Sequence, residues 1–156
     1  MGLTERIAGY AASTDHFLAE LAAVTPENLD RHVADGWSAR QVIHHVADSE
    51  AQSYARLRRL LAEPTGSIIQ GYDEAAWAEC STLGYRDLPV ENSVAVFRAV
   101  RHASLDVLGR IVPSDLERYG KHSEIGHYTL DRWLDVYTRH PHDHVAQLTE
   151  AINAPI

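Results

Sequence analysis

Apolar residues recur at helical spacing over four long segments of this chain, and a period near 3.6 sustained that often leaves few folds open. In the first segment Ile7, Tyr10, Thr14, Phe17, Leu18, Leu21 and Val24 form one stripe. The second opens on Ser38 and Gln41, an S-x-x-Q capping box in which each side chain satisfies an orphan amide at the helix start. It continues through Val42, Val46, Leu57, Leu60 and Leu61 until Pro64 and Gly66 stop it. The third starts near Pro89 and carries Val90, Val94, Phe97, Leu105, Leu108 and Val112. The fourth follows Thr129 as N-cap and carries Leu130, Trp133, Leu134, Tyr137, Val145, Leu148 and Ile152. Short helical turns are expected at residues 26–33 and 73–79, and convincing strand alternation is found nowhere. The expectation is an all-α four-helix bundle, its helices packed antiparallel around one core. Residues 63–88 are too many for a tight hairpin and predict a long crossover connection between helices 2 and 3.

With 156 residues, 45% hydrophobic and 23% charged, the chain has the size and composition of one globular domain spanning residues 1–156. Acidic residues outnumber Lys and Arg by 22 to 14, and the net charge of −8 repels phosphate backbones and anionic membranes. A small-molecule substrate is therefore expected as partner, and neither nucleic acid nor membrane. Two-fold symmetry being the commonest, a homodimer is the expected assembly. The sole cysteine, Cys80, excludes an intramolecular disulfide and any multi-cysteine metal cluster, and nothing near it in sequence lowers its pKa. The start of the chain lacks a basic stretch followed by an apolar core, and no apolar run approaches the roughly 20 residues that cross a bilayer. A cytoplasmic location is expected.

Ten histidines are the unusual feature of the composition. On a wheel of about 100° per residue, His140 and His144 flank the inward stripe of the fourth helix. Four residues apart, their Cβ atoms lie roughly 5–6 Å from one another, a spacing from which two imidazoles reach one metal ion. His142 points away and is expected at the surface. In the second helix His45 flanks the inward stripe, whereas His44 is nearly opposite and is expected to face solvent or the outer side of another helix. His45, His140 and His144 thus offer three nitrogen donors from two helices, the ligand set of a catalytic metal site with an open position. The expected cofactor is one divalent metal ion, zinc or nickel first, with iron, cobalt and manganese as alternatives.

Pro141 stands between two of these ligands and removes the amide that would have bonded the Tyr137 carbonyl, so a kink is expected there. Asp48, three residues after His45, is the candidate to orient a ligand ring from behind; Asp143 is expected to be an exposed acid. Glu50 lies farther round the helix and is only a weak candidate base. His122 and His127 precede the fourth helix and are candidates for the mouth of a site, while His16, His32 and His102 are expected to be structural or exposed. There is no H-E-x-x-H, no G-x-S-x-G and no phosphate-cradling glycine loop.

The motifs W-S-A-R-Q-V-I-H-H-V-A-D-S-E at 37–50, G-Y-D-E-A-A-W at 71–77 and R-H-P-H-D-H-V-A-Q-L at 139–148 together resemble the DinB superfamily, and within it the YfiT-like branch. The likeness covers nearly the whole chain, with three separated motifs in the family's order. It implies a four-helix bundle in which three histidines hold a divalent metal; matched by motif they are His45, His140 and His144, the set the wheel selects. H-S-E-I-G at 122–126 looks like the family's H-P-x-x-G element, with Ser123 in place of proline. The family's W-H-G-R-H-H is here R-H-P-H-D-H, which keeps the i, i+4 pair and alters its flanks.

The resemblance implies a metal-dependent enzyme that activates a thiol or water. Transfer of a low-molecular-weight thiol of the bacillithiol or mycothiol type, brought in as cosubstrate, is the first expectation, and metal-dependent hydrolysis the second. The rival from another class is a non-catalytic, metal-braced module for stress-response binding.

Overall fold

The computed structural model describes residues 1–156. Four long helices form a bundle: α1 (Leu3–Glu20), α2 (Ala39–Ala62), α4 (Glu91–Leu108) and α5 (Leu130–Ile152), with the short α3 (Glu74–Glu79) in the crossover between α2 and α4. Their starts follow the sequence signals closely. Ser38 Oγ accepts from the Gln41 amide while Gln41 Oε1 accepts from the Ser38 amide, completing the capping box of α2. Thr129 Oγ1 accepts from the Arg132 amide at the head of α5. At residues 26–30, where a helical turn is expected, the chain makes only hydrogen-bonded turns. Helix α4 ends at Leu108, so Val112 lies beyond it, half exposed.

Helix α1 packs mainly on α5 and less on α4, while α2 packs on both α4 and α5. The consecutive helices α1 and α2 therefore sit across the bundle from one another, and α2 and α5, which carry the three histidines, are neighbours. No helix is long and apolar enough to cross a membrane.

Three short strands depart from the expectation that no strand forms. β1 (Ile68–Ile69) pairs in parallel with β2 (Tyr119–His122), which forms an antiparallel hairpin with β3 (Gly126–Thr129). The sheet ties the α2–α4 crossover to the α4–α5 connection. Alternation is present in β2, but its inward positions are Gly120 and His122, so an apolar pattern does not reveal it. The hairpin closes through Gly126 at φ +78°, a left-handed conformation that costs a glycine least.

The bundle interior is divided along its length. One apolar cluster gathers Tyr10, Leu57, Leu60, Leu108, Leu130, Trp133 and Tyr137; a second gathers Phe17, Val42, Val46, Phe97, Val145 and Leu148. Between them each helix contributes buried polar groups: Ser13 and Thr14 from α1, Glu50 and Ser53 from α2, Arg101 and Ser104 from α4. On α5 this level is occupied by the segment from Tyr137 to His144.

Candidate metal centre

That polar layer is built around Arg101, which is fully buried. All five of its N–H groups have acceptors. Nε donates to Thr14 Oγ1 at 2.8 Å, Nη1 to Glu50 Oε1 at 3.1 Å and the Tyr137 carbonyl at 2.7 Å, Nη2 to the Tyr10 carbonyl at 2.9 Å and Ser13 Oγ at 2.7 Å. The Tyr137 carbonyl is the one that Pro141 leaves without its helical donor. Arg101 supplies that missing hydrogen bond, and α5 runs unbroken through the proline. The turn bearing His140 is thereby pinned to α4, and through Glu50 to α2.

One donor nitrogen from each of His45, His140 and His144 lies within 4.8 Å of the other two. Nε2 of His140 and Nε2 of His144 are 2.9 Å apart, and the His45 ring centroid stands 4.8 Å from that of His144 and 5.6 Å from that of His140. His144 Nδ1 is 2.7 Å from Gln147 Oε1; donating to it places the ring proton on Nδ1 and leaves the Nε2 lone pair free. Nδ1 of His45 and Nδ1 of His140 are buried without a partner. Burial holds all three rings below the usual imidazole range, His45 at about 4 and His140 at about 2, with the neighbouring histidines pushing in the same direction on those two. Three neutral imidazoles converge here with no fourth His, Cys, Asp or Glu in the group. Their donor chemistry fits a divalent ion of the zinc, nickel or iron type.

The histidines open on a cleft of about 500 Å³ whose wall also holds Asp35, Trp37, Glu74 and Gln147. The Trp37 ring meets His45 edge-on, with centroids 5.2 Å apart. Glu74, at the head of α3, has its carboxyl raised above the usual range, first by partial burial and further by Glu124, against the pull of Arg56.

The other singled-out residues are placed as follows. Asp48 is not brought to any of the three rings: its carboxylate accepts the Tyr85 hydroxyl, and the ring-orienting contact comes instead from Gln147 on His144. Glu50 is not a free base but the fully buried partner of Arg101. His44 is buried and does not face solvent. Its Nε2 donates to the Leu88 carbonyl at 3.0 Å and its Nδ1 accepts from Ser93 Oγ at 2.7 Å, which docks α2 on the start of α4. His142 is exposed, as its wheel position predicts, and its Nδ1 lies 2.6 Å from that of His16. His127 is exposed, its ring tilted against that of Tyr119, whereas His122 is buried beside Tyr128. Cys80 is exposed and outside the group, and Asp143 is exposed beside Arg139.

Arg101, Glu74 and Gln147 escape the sequence reading. Arg101 stands in register with Phe97, Ser104 and Leu108 on α4, and a cation in that stripe, set against a proline that orphans a carbonyl elsewhere, is the signal that reveals it. Gln147, three residues after His144, is recognisable as a ring-orienting partner by the same spacing argument that favoured Asp48.

Comparison with known proteins bears on the family and the fold. The model of the DinB superfamily matches residues 9–148. The chain is 36% identical over 124 residues to "Putative metal-dependent hydrolase OB0782" of Oceanobacillus iheyensis, covering 79% of this chain and 70% of that one. It is 33% identical over 129 residues to "Putative metal-dependent hydrolase YfiT" of Bacillus subtilis, covering 81% and 71%. A further relative of the same description, from Bacillus mycoides, is 34% identical over 114 residues, which is 73% of this chain and 64% of that one. The solved structure of Bacillus subtilis YfiT, described as having an unusual four-helix bundle topology, superposes with a TM-score of 0.83 at 28% identity over 96% of this chain and 85% of that one. Fold, motif order and relatives converge: the chain belongs to the DinB superfamily, on its YfiT-like branch.

Proposed function

We propose that this chain is a divalent-metal-dependent enzyme whose centre, His45, His140 and His144, activates a low-molecular-weight thiol for transfer to a small-molecule electrophile. The observation that carries the reading is the convergence of three imidazoles, with no fourth protein donor, on an open cleft. A structural zinc site closes with four protein ligands, and a catalytic one keeps a position free. The bound ion would lower the pKa of a thiol or of water at that position.

The chain's own residues prepare the site. Burial keeps His45 and His140 unprotonated at neutral pH, and Gln147 fixes which nitrogen His144 presents. Two carboxylates line the cleft, Asp35 and Glu74, and Glu74, raised by its partial burial, is the candidate to take a proton from the nucleophile. Cys80 stands outside the group, so the thiol comes as cosubstrate.

Hydrolysis is the second reading, favoured by the descriptions of OB0782 and YfiT as metal-dependent hydrolases. It uses the same residues with water as nucleophile. The test is to incubate zinc- or nickel-loaded protein with electrophilic substrates, with and without a low-molecular-weight thiol, beside His45→Ala. Thiol-dependent conversion that is lost in the variant supports transfer. Metal-dependent turnover without thiol assigns hydrolysis instead, and neither activity in fully loaded protein points to a metal that only braces two helices.

A further inference from the structure

Behind the histidine cleft lies a second cavity, of about 260 Å³, that the reading above leaves without a task. Arg56 of α2, Tyr72 and Glu74 of the crossover, His122 and Tyr128 of the hairpin, and His140 of α5 are in its wall. His140 and Glu74 belong to both cavities, so the two adjoin across the His140 ring.

Four polar atoms of this wall are buried without a well-formed hydrogen bond: Tyr72 Oη, Tyr128 Oη, Arg56 Nε and His140 Nδ1, with Ser49 near the Tyr72 hydroxyl and Arg56 near that of Tyr128. Each is a donor. Burial raises both phenols, which therefore keep their protons, and a guanidinium is always charged. When Nε2 of His140 serves a metal, its proton resides on Nδ1. His122 adds a fifth donor, because its Nδ1 accepts from the Glu124 amide at 3.1 Å and leaves the proton on Nε2. Arg56 is fixed in place: Nη1 donates to Tyr137 Oη and Nη2 to the Gln70 carbonyl, both at 3.0 Å, which leaves its Nε–H and one N–H on each Nη.

Buried donors without acceptors are costly, and a folded chain seldom gathers several in one place without a ligand or ordered water to answer them. The wall carries two guanidinium groups, Arg56 and Arg132, against two carboxylates, Glu74 and Glu124, and the donors left over call for an acceptor-rich ligand. A carboxylate supplies two oxygens with about four lone-pair sites and one charge. Phosphate carries a second charge, which Glu74 and Glu124 on the same wall oppose.

We propose that this cavity binds a carboxylate group of the substrate, through Arg56, Tyr72 and Tyr128, and so presents the rest of that molecule to the metal centre across His140. The proposal deepens the metal-dependent reading and rests on it, naming the substrate class as a small carboxylate-bearing molecule. It accounts for two motifs that metal binding leaves unused, the segments at 71–77 and 122–126, which supply Tyr72, Glu74, His122 and Glu124.

The test is a titration of the zinc-loaded full chain with propionate, propionamide and inorganic phosphate, read from the NMR shifts of carbon-labelled tyrosine rings. Wild type, Tyr72→Phe, Tyr128→Phe, Arg56→Gln and His45→Ala are compared, with metal content measured separately for each. Propionate is expected to bind at least tenfold more tightly than propionamide or phosphate. Tyr72→Phe, Tyr128→Phe and Arg56→Gln are each expected to weaken it tenfold or more, while the two Phe variants keep their thermal stability because neither hydroxyl makes a well-formed hydrogen bond in the folded chain. His45→Ala is expected to lose metal yet bind propionate within a few-fold of wild type. Propionate binding that disappears with the metal and ignores Tyr128→Phe and Arg56→Gln places the carboxylate on the ion and overturns the proposal. Equal binding of propionamide, preference for phosphate, or no propionate shift in wild type also overturns it. Metal retained by His45→Ala is a failure of the metal reading and leaves the pocket to be judged by its own variants.

Discussion

Arg101 and Pro141 solve one problem together. The proline lets α5 carry His140 without a competing amide at the Tyr137 carbonyl, and the guanidinium supplies the donor that the helix has lost. Because Arg101 and Glu50 are both fully buried, removing one partner strands the other's charge. Arg101→Met is expected to lower unfolding free energy by about 3–5 kcal/mol in urea titrations. Replacing Glu50 by Gln as well should cost less than the sum of the two single changes, since no uncompensated carboxylate remains. The buried histidines set a pH dependence of definite sign. With His45 held at about 4 and His140 at about 2 in the folded chain, against about 6.5 when unfolded, the unfolded state binds more protons. The metal-free protein should keep its full stability above pH 6.5 and lose it progressively as pH falls through 6.5 toward 4. Each pH unit below the unfolded value removes up to about 1.4 kcal/mol per histidine. Denaturant midpoints measured from pH 8 to 4 check this, and a flat profile contradicts it.

Helix α5 starts where β3 ends, so Thr129 is both the last residue of the hairpin and the cap that satisfies the Arg132 amide. Thr129→Ala is expected to cost about 1 kcal/mol in a urea melt, with metal binding unchanged because the three histidines lie elsewhere. Gly126→Ala forces an alanine to φ +78° and should cost a similar amount while disturbing the hairpin that carries His122. The caps of α2 and α5 are legible in sequence because they are chemical signatures within four residues. The ligand pair on α5 is legible for the same reason, its spacing being local, and His45 is singled out by its position beside the inward stripe. What resists reading is set by contacts between distant segments. His44 falls on the outer side of a single-helix wheel, but α2 is covered by α4 as well as α5, and the far side is therefore buried too. Asp48 has the right spacing to reach a ligand ring, yet Tyr85 of the crossover claims its carboxylate. The strands are hidden because glycine and histidine take the inward places of β2.

Taken as a molecule, the bundle is two apolar cores joined by a polar layer, with the histidine cleft opening beside that layer. Helices α2 and α5 meet at the ligands, so an ion bound by all three rings links two elements distant in sequence, and binding to the folded state alone adds stability by mass action. At free metal a hundredfold above the dissociation constant the gain is about 2.7 kcal/mol. Thermal unfolding with and without added zinc should show that gain in wild type and not in His140→Ala. The most direct measurement is elemental analysis of untagged protein, wild type beside His45→Ala, His140→Ala and His144→Ala. One divalent ion per chain in wild type, lost in all three variants, is the predicted result. Wild type that contains no metal and takes up neither zinc nor nickel near neutral pH, where the imidazoles are free to bind, contradicts the assignment of the centre and with it the enzymatic reading.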